Sequence, residues 1–154
     1  MQNTELYYLL ALTRIEGIAS VLARNLIAYC GSARAVFKSS KNKISRVPGI
    51  GPALLHSITS FHNYSSIDDE LRFIENNGIR VITYYDEAYP HRLKAIHDAP
   101  LVIYAKGEVS LQFERSVAIV GTRKPSVYGM HLCKQLVDDL KDSNCLIISG
   151  LAYG

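Results

Sequence analysis

The stretch Ser116–Gly129, SVAIVGTRKPSVYG, constrains the fold of this chain more than any other. Residues 117–120 are consecutive apolar residues typical of a buried strand, and a helical pattern begins after the loop. A strand that runs into a glycine and then into a helix is a common phosphate-binding arrangement. The spacing matches neither GxGxxG nor GxxxxGK(S/T). The loop therefore predicts a phosphate site that is neither a dinucleotide fingerprint nor a P-loop.

Segments with strand and helix patterns alternate after residue 65. The strands are apolar without alternation, which is typical of a mainly parallel sheet covered on both faces. This order predicts an α/β fold in which residues 66–154 are the opening part of a Rossmann-like domain, and we expect the chain to be a fragment of a longer protein. The pattern predicts helices over 66–78, between Pro90 and Pro100 and over 128–141, and strands over 81–84, 101–107, 117–120 and 146–149.

The loops after residues 120 and 149 follow the two strands of one βαβ unit. Because these strands are expected to be parallel, both loops should emerge at one edge of the sheet. Gly121 and Gly150 allow the backbone to approach a ligand closely. Arg123 supplies a planar charged fork, and Ser126 either caps the helix or reaches a phosphate oxygen. We interpret the crevice as an anion site that grips phosphate without reading a nucleoside.

Arg123 has a structural interpretation as well. An arginine soon after a strand can pin the carboxyl ends of neighbouring strands, or it can pair with Asp86 or Glu87. The residues alone leave this alternative open beside the phosphate-binding one.

The N-terminal half contains an internal repeat at an offset of 32 residues, in which TRIEGIASVLARNLI (13–27) aligns with SRVPGIGPALLHSIT (45–59). Each copy reads as a helix end, a tight glycine turn and a second amphipathic helix. The pattern resembles the helix-hairpin-helix motif, whose signature is hydrophobic-Gly-hydrophobic-Gly. Gly49, Ile50 and Gly51 match it, whereas Ala19 stands at the second glycine of the first copy. We predict an all-helical, SAM-like helix-hairpin-helix domain over residues 1–65.

The glycine hairpins have two interpretations. Glycine lets the backbone approach a phosphate, and the N–H groups that open the second helix are unpaired donors at the positive end of its dipole. On this basis Gly49, Ile50 and Gly51 are candidate contacts to DNA phosphates, independent of base sequence. Alternatively, the hairpins serve only to fold a helical bundle.

The charge is distributed unevenly along the chain. The net charge is +3, but residues 1–62 hold seven basic and two acidic residues, whereas residues 63–154 hold ten basic and twelve acidic ones. A basic half beside a mildly acidic one suggests two domains with different partners. Solvated helix faces are also often basic, so charge alone does not decide for nucleic acid.

Several classes of protein are disfavoured by the sequence. The N-terminus has no basic region ahead of an apolar run, so we expect no signal peptide. The longest uncharged stretch, 47–67, contains too many polar residues and helix breakers to span a membrane. Three cysteines without metal-ligand spacing favour a reduced, cytoplasmic location. None of the three histidines His91, His97 and His131 has a carboxylate, serine or cysteine at a spacing typical of a catalytic site. We predict no catalytic residue, no metal site and no cofactor.

Three ordered motifs carry a family resemblance. VAIVGTRKPSVYG followed by ISGLAYG, with YDEAYPHRLKAIHDAPLVIYAKG upstream, resembles the DNA-processing protein A family (DprA, also called Smf). The helix-hairpin-helix-like half also fits. The resemblance implies a non-enzymatic recombination mediator that binds single-stranded DNA, protects incoming DNA and loads the recombinase RecA in natural transformation. It also implies a homodimer, with the dimer and RecA surfaces beyond Gly154.

The resemblance further implies which residues bind phosphate. The family's Gly-Ser/Thr-Arg corresponds to residues 121–123, and its Ser-Gly-Leu-Ala-Arg-Gly segment corresponds to residues 149–154. Tyr153 stands where arginine is common, which removes one cation and offers a ring for stacking on a base. The candidate DNA- or phosphate-binding residues at these loops are Gly121, Thr122, Arg123, Lys124, Ser126, Ser149 and Gly150.

An enzyme is the alternative. The Rossmann-like fold also serves nucleotide phosphoribohydrolases of the lysine-decarboxylase-like family, which would use the anion site for a nucleotide phosphate. Their Pro-Gly-Gly motif with a catalytic glutamate does not occur in these 154 residues and would lie downstream of them. The helix-hairpin-helix repeat argues against this alternative. A third possibility is that these residues serve only for domain docking.

Overall fold

The computed structural model describes residues 4–108 and 110–152, which form two compact units. The first unit ends at residue 109 and the second begins at Ser110. This division differs from the boundary after residue 65 that the sequence pattern predicts. The difference arises because the first strand pair packs on the helices that precede it. The domain boundary of the whole protein stays a prediction.

The first unit contains seven helices and two strands within the described residues. Its helices are α1 (Thr4–Thr13), α2 (Ser20–Cys30), α3 (Ala33–Lys38), α4 (Lys41–Ile44), α5 (Pro52–Thr59), α6 (Ser65–Asn76) and α7 (His91–Lys94), and its strands are β1 (Arg80–Thr83) and β2 (Val102–Ala105). The second unit contains β3 (Ser116–Ala118), α8 (Val127–Leu140) and β4 (Leu146–Ile148).

Local sequence signals set the short helices at the centre of the first unit. Gly31 adopts φ 105° and ends α2, with its N–H donating to the Ile27 carbonyl at 2.7 Å. Ser32 then caps α3, because its hydroxyl accepts from Ala35 N at 3.0 Å. Ser40 caps α4 in the same way, with a 3.3 Å bond from Lys43 N. Gly31, Ser32 and Ser40 therefore set where α2 ends and where α3 and α4 begin.

The core of the first unit joins its helices to its strands. Leu12, Leu26 and Ile44 are fully buried at its centre. Leu101, which precedes β2, is buried in the same cluster, and Tyr84 packs against that cluster after β1. Burial of these apolar side chains is the main force that holds the strand pair to the helices.

The two strands of the first unit are antiparallel. Arg80 lies opposite Ala105 and Thr83 opposite Val102, and Tyr84 N donates to the Leu101 carbonyl at 2.8 Å. The expectation of a mainly parallel sheet is therefore wrong for this pair. A parallel crossover needs a helix long enough to cover the sheet, whereas α7 has only four residues.

The strands of the second unit are parallel, as the sequence predicts. Ser116 lies opposite Leu146 and Ala118 opposite Ile148, and α8 forms the connection. The predicted burial of residues 117–120 is wrong for the described residues, because Val117 is 39% exposed and Val120 is 87% exposed. These two strands and one helix are an α/β arrangement. The full Rossmann-like arrangement stays a prediction.

Candidate nucleic-acid interface

The two glycine-containing loops of the second unit leave β3 and β4 at the same edge. The strands are parallel, so their carboxyl ends meet there. Ile119 N donates to the Ile148 carbonyl at 2.9 Å, which extends the ladder to the start of both loops. The two loops, residues 121–126 and residues 149–152, therefore start at the same edge of the strand pair, as the βαβ pattern predicts.

The first of these loops ends on a capped helix. The Ser126 hydroxyl accepts from Gly129 N at 3.1 Å, and Ser126 has the extended backbone of an N-cap residue, with φ −73° and ψ 160°. Of the two predicted roles for Ser126, capping is the one observed. The cap fixes the start of α8, a helix of 14 residues whose positive dipole end faces this loop.

Arg123 and Lys124 are exposed side chains at the middle of the first loop. The Thr122 hydroxyl accepts from Lys124 N at 3.4 Å and tightens the chain around Arg123. Within residues 110–152, the guanidinium of Arg123 forms no hydrogen bond or ion pair. Asp86, one of the alternative partners considered for Arg123, accepts from Thr83 N at 2.7 Å within the first unit.

The second loop has an unusual backbone. Leu151 adopts φ 51°, in the left-handed region that non-glycine residues seldom occupy, and its side chain is exposed. The Ser149 hydroxyl accepts from Leu151 N at 3.3 Å and stabilises this turn. The prediction that Tyr153 replaces a cationic contact lies outside the described residues.

Gly121 and Gly150 lie at this edge, and neither backbone conformation nor packing within the described residues requires glycine at either position. Gly121 and Gly150 have no positive φ, and a β-carbon on either would meet no atom within 4 Å. Steric need within the described residues therefore does not explain these glycines. Their effect is to leave the loop backbone uncovered by side chains at the edge where the two loops meet.

In the second hairpin of the first unit, only one of the two glycines has a special conformation. Gly49 adopts φ 90°, whereas Gly51 is extended, with φ −89° and ψ 174°, and forms the N-cap of α5. Ile50 is half-buried between them, and its N–H donates to the Val47 carbonyl at 3.1 Å. The N-cap of α5 has no side-chain hydrogen bond, so the first N–H groups of that helix are not capped by Gly51.

The first hairpin copies the second despite its missing glycine. Gly17 adopts φ 83° and corresponds to Gly49 in the repeat. Ala19 corresponds to Gly51 and has the same extended backbone, with φ −78° and ψ 169°. Alanine is compatible with that conformation, so the departure from the motif at this position costs the turn nothing in backbone strain.

Three basic residues of the N-terminal half have side-chain partners within the first unit, and one of them, Lys43, donates to the Cys30 carbonyl at 3.4 Å. Arg14 forms an ion pair with Glu70 at 2.8 Å, and Tyr104 also donates a hydrogen bond to Glu70. Arg24 donates to the Ala99 carbonyl at 2.7 Å and lies 4.9 Å from the centre of the Tyr84 ring. Sequence reasoning did not identify these partners, because each pair joins residues far apart in the chain.

Arg14 and Tyr104, which both contact Glu70, have raised pKa values. The hydrogen bond and the charge of Glu70 raise the pKa of Arg14 above its ordinary value. Burial, followed by the hydrogen bond to Glu70, raises the pKa of Tyr104. Both shifts favour the protonated forms that hold α6 to β2 and to the end of α1.

Metal and membrane sites are not evident in the described parts of the chain. Residues 4–108 and 110–152 contain no group of three or more His, Cys, Asp and Glu side chains placed to bind a metal ion. Over the same residues, no helix combines the length and apolar character needed to cross a bilayer.

Comparisons with known proteins agree on one family. Residues 80–154 match the family model for DNA recombination-mediator protein A. The chain is 36% identical over 103 residues to DNA processing protein DprA of Bacillus subtilis, an alignment that covers 66% of this chain and 34% of that protein. It is 27% identical over 158 residues to protein Smf of Synechocystis, covering 100% of this chain and 40% of the relative. DNA processing protein DprA of Streptococcus pneumoniae is 33% identical over 91 residues, which cover 59% of this chain and 32% of that protein.

Proposed function

Because the chain belongs to the DprA/Smf family, we propose that the protein is a recombination mediator that binds single-stranded DNA. The observation that carries the proposal is that two exposed loops start at the same carboxyl edge of β3 and β4, and that the first of them carries the exposed Arg123. The chain spans 34% and 40% of the length of the two relatives described first. The activity of the whole protein is therefore part of the proposal.

Phosphate binding at this edge follows from its chemistry. The guanidinium of Arg123 offers paired donors to phosphate oxygens, and Lys124 adds a second positive charge. The uncovered backbone at Gly121 and Gly150 allows close approach, and the helix that starts at Ser126 directs its positive end to the same place. Thr122 and Ser149 hold the two turns in shape.

The proposed contacts address the backbone of the strand. Main-chain N–H groups and an arginine fork recognise phosphate oxygens, which are the same at every base. We therefore expect binding with little sequence dependence. A single strand, which can follow a crevice between two loops more closely than a stiff duplex, is the expected substrate.

The second hairpin is proposed as an accessory contact. Gly49 and Gly51 are exposed, Ile50 lies between them, and α5 starts without a side-chain cap. Such a helix start can donate N–H groups to a phosphate. Pro52 at the start of α5 lacks an N–H, which reduces the number of donors there.

The partners of the whole protein are proposed from the family. They are single-stranded DNA, the recombinase RecA and a second copy of the protein, in a cytoplasmic setting in which incoming DNA is protected and RecA is loaded. We propose no catalytic step. A nucleotide phosphoribohydrolase is the enzyme that the same fold would otherwise suggest.

One experiment separates these two functions. The full-length protein is titrated against a fluorescent oligothymidylate, and the same preparation is assayed for hydrolysis of nucleoside monophosphates. Binding of the oligonucleotide without hydrolysis supports the mediator. Hydrolysis that disappears together with the Arg123 side chain would instead assign the anion site to an enzyme.

A further inference from the structure

A second cationic surface lies on the first unit, on the segment that contains α3 and α4. We call it the α3–α4 patch and define it by five exposed side chains. The sequence contains no Asp or Glu between Glu16 and Asp68, so this segment supplies no carboxylate to neutralise it. The members of the patch are Arg34, Lys38, Lys41, Lys43 and Arg46.

The structure separates these five cations from the other two of the N-terminal half by their partners, and within the patch Lys43 also donates to the Cys30 carbonyl at 3.4 Å. Arg14 is paired with Glu70, and Arg24 is hydrogen bonded to main-chain carbonyls. Within residues 4–108, by contrast, no member of the patch forms an ion pair with a carboxylate. Glu5 lies near the start of α3, but its carboxylate accepts from the main-chain N–H groups of Ala33 and Arg34. The charge of the patch is therefore available to a ligand.

The patch contains two depressions. One, of about 450 Å³, is lined by Arg34 and Lys38 together with serine hydroxyls. The other, of about 490 Å³, is lined by Lys43 and Arg46. Ser39 lines the first depression and the next residue, Ser40, lines the second. Each depression thus presents two cations.

The second depression also presents an aromatic ring. Tyr29 lines it beside Lys43 and Arg46, and 45% of Tyr29 is exposed. Cations interleaved with an exposed aromatic side chain are the combination that binds a nucleic-acid strand, because the cations contact phosphates and the ring can stack on a base. An acidic peptide would use the cations but would gain little from the ring.

We propose that the α3–α4 patch binds the phosphodiester backbone of nucleic acid, as a second contact on the first unit. Like charges that are held together without counter-charges repel one another. A polymer with regularly spaced phosphates relieves that repulsion across the α3–α4 patch. The inference rests on the proposed function in one respect, that DNA is the natural polyanion. It uses residues distinct from the β3–β4 edge and from Gly49, Ile50 and Gly51.

The test removes charge from each depression in the full-length protein. The variants are Arg34→Gln with Lys38→Gln, Lys43→Gln with Arg46→Gln, and all four together. The control, Arg72→Gln with Lys106→Gln, removes two exposed cations elsewhere on the first unit, of which Arg72 is ion-paired with Asp69 at 3.1 Å. Anisotropy titrations use a labelled single strand and a labelled duplex across a salt series, and thermal melts monitor folding. Polyglutamate and vesicles with anionic lipids serve as competitors.

Each double variant is expected to weaken binding roughly five- to twentyfold, with the control changed less than twofold and melting unchanged. For each phosphate that a variant no longer neutralises, the plot of log affinity against log salt should become less steep. The magnitude of its slope should decrease by about 0.7 on the single strand and about 0.9 on the duplex. Equal weakening by the patch and control variants would overturn the proposal, as would stronger competition by polyglutamate or vesicles than by unlabelled DNA.

An Arg123→Ala arm keeps this inference separate from the proposed function. If Arg123→Ala weakens binding and the patch variants do not, the β3–β4 edge stands and the patch proposal fails. If only the patch variants weaken binding, the patch stands and the proposed site at the edge fails. A comparison of the single-strand and duplex titrations then identifies the form of nucleic acid that the patch prefers.

Discussion

Gly17 and Leu54 approach so closely that a β-carbon on Gly17 would lie 2.6 Å from Leu54 Cδ2. The reciprocal contact joins Gly49 and Leu22, where a β-carbon on Gly49 would lie 3.3 Å from Leu22 Cδ1. In the repeat, Gly17 corresponds to Gly49 and Leu22 to Leu54. Each hairpin therefore packs its glycine against the second helix of the other copy. The internal repeat of the sequence is also a repeat of contacts in the structure.

This packing predicts different effects for the hairpin glycines. Gly49→Ala should lower the free energy of unfolding by about 1–2 kcal/mol, because alanine is strained at φ 90°. Gly17→Ala should cost more, since its β-carbon would also displace Leu54. Gly51→Ala should change stability by less than about 1 kcal/mol, because Gly51 is extended like Ala19. Denaturant unfolding of the three variants measures the order.

The same variants separate a folding role of the hairpin from a DNA-binding role. If the second hairpin only assists binding, Gly51→Ala should reduce DNA affinity modestly while the protein remains folded. A loss of affinity as large as that of Arg123→Ala, at an unchanged melting temperature, would make this hairpin a principal contact. Gly49→Ala is the less informative variant for binding, because this substitution is also expected to lower the free energy of unfolding.

Tyr104 gives a prediction for alkaline pH. Its pKa is raised in the folded protein by burial and by the hydrogen bond to Glu70. The folded state therefore keeps its proton at pH values where the unfolded chain, with a tyrosine pKa of about 10, loses it. The stabilisation is complete below pH 10 and is lost as the pH rises from there toward the raised pKa. Tyr104→Phe should flatten this loss.

Chemical unfolding at pH 8, 9.5 and 10.5 checks the prediction for Tyr104. Tyr7, Tyr64, Tyr85 and Tyr89 also have raised pKa values, so Tyr104→Phe should reduce the alkaline loss of stability without removing it. Tyr128→Phe, at a side chain that is 76% exposed, is the control. Identical pH dependence in the Tyr104 and Tyr128 variants would contradict the proposed role of the Glu70 hydrogen bond.

The sequence predicted where the helix and strands of the second unit lie better than it predicted how buried they are. The helix expected over 128–141 is observed over Val127–Leu140, and the strand expected over 146–149 over Leu146–Ile148. Periodicity and caps act within a few residues, so they are readable locally. The meeting of the loops at Gly121 and Gly150 followed from one further rule, that strands joined by a helix are parallel.

Features that depend on distant partners were not readable in the same way. An apolar strand looks the same whether it pairs parallel or antiparallel, so the pairing of β1 with β2 was not foreseen. The contacts of Glu70 with Arg14 and Tyr104 join three separate parts of the first unit. The two glycines of the second hairpin look alike in sequence, but only Gly49 needs a positive φ.

The proposed substrate leads to a prediction about strand preference. We expect the full-length protein to prefer single-stranded over duplex DNA, with little dependence on base sequence, because the β3–β4 edge addresses phosphates and not base edges. Competition of a labelled single strand with unlabelled single strand and unlabelled duplex measures this preference. Equal competition by the duplex would refute it for the whole protein.

Arg123 provides the most direct test of the β3–β4 edge. Arg123→Ala should cost about 1.5–3 kcal/mol of single-strand affinity, the usual scale for a charge-assisted hydrogen bond. It should also make the plot of log affinity against log salt less steep, with the magnitude of the slope reduced by about 0.7 for each phosphate that the arginine neutralises in the wild type. Folding should be nearly unchanged, because Arg123 is exposed and forms no hydrogen bond or ion pair within residues 110–152.

Two controls decide how the result for Arg123 is interpreted. Lys134→Ala removes an exposed cation from the middle of α8, away from the loop, and should leave both affinity and salt slope close to wild type. Arg123→Lys keeps the charge but loses the planar fork, so it should recover the salt slope and only part of the affinity. Anisotropy across a salt series and thermal melts measure all of these quantities. An unchanged salt slope in Arg123→Ala, together with a lower melting temperature, would assign Arg123 to the fold and would remove the basis for a phosphate site at this loop.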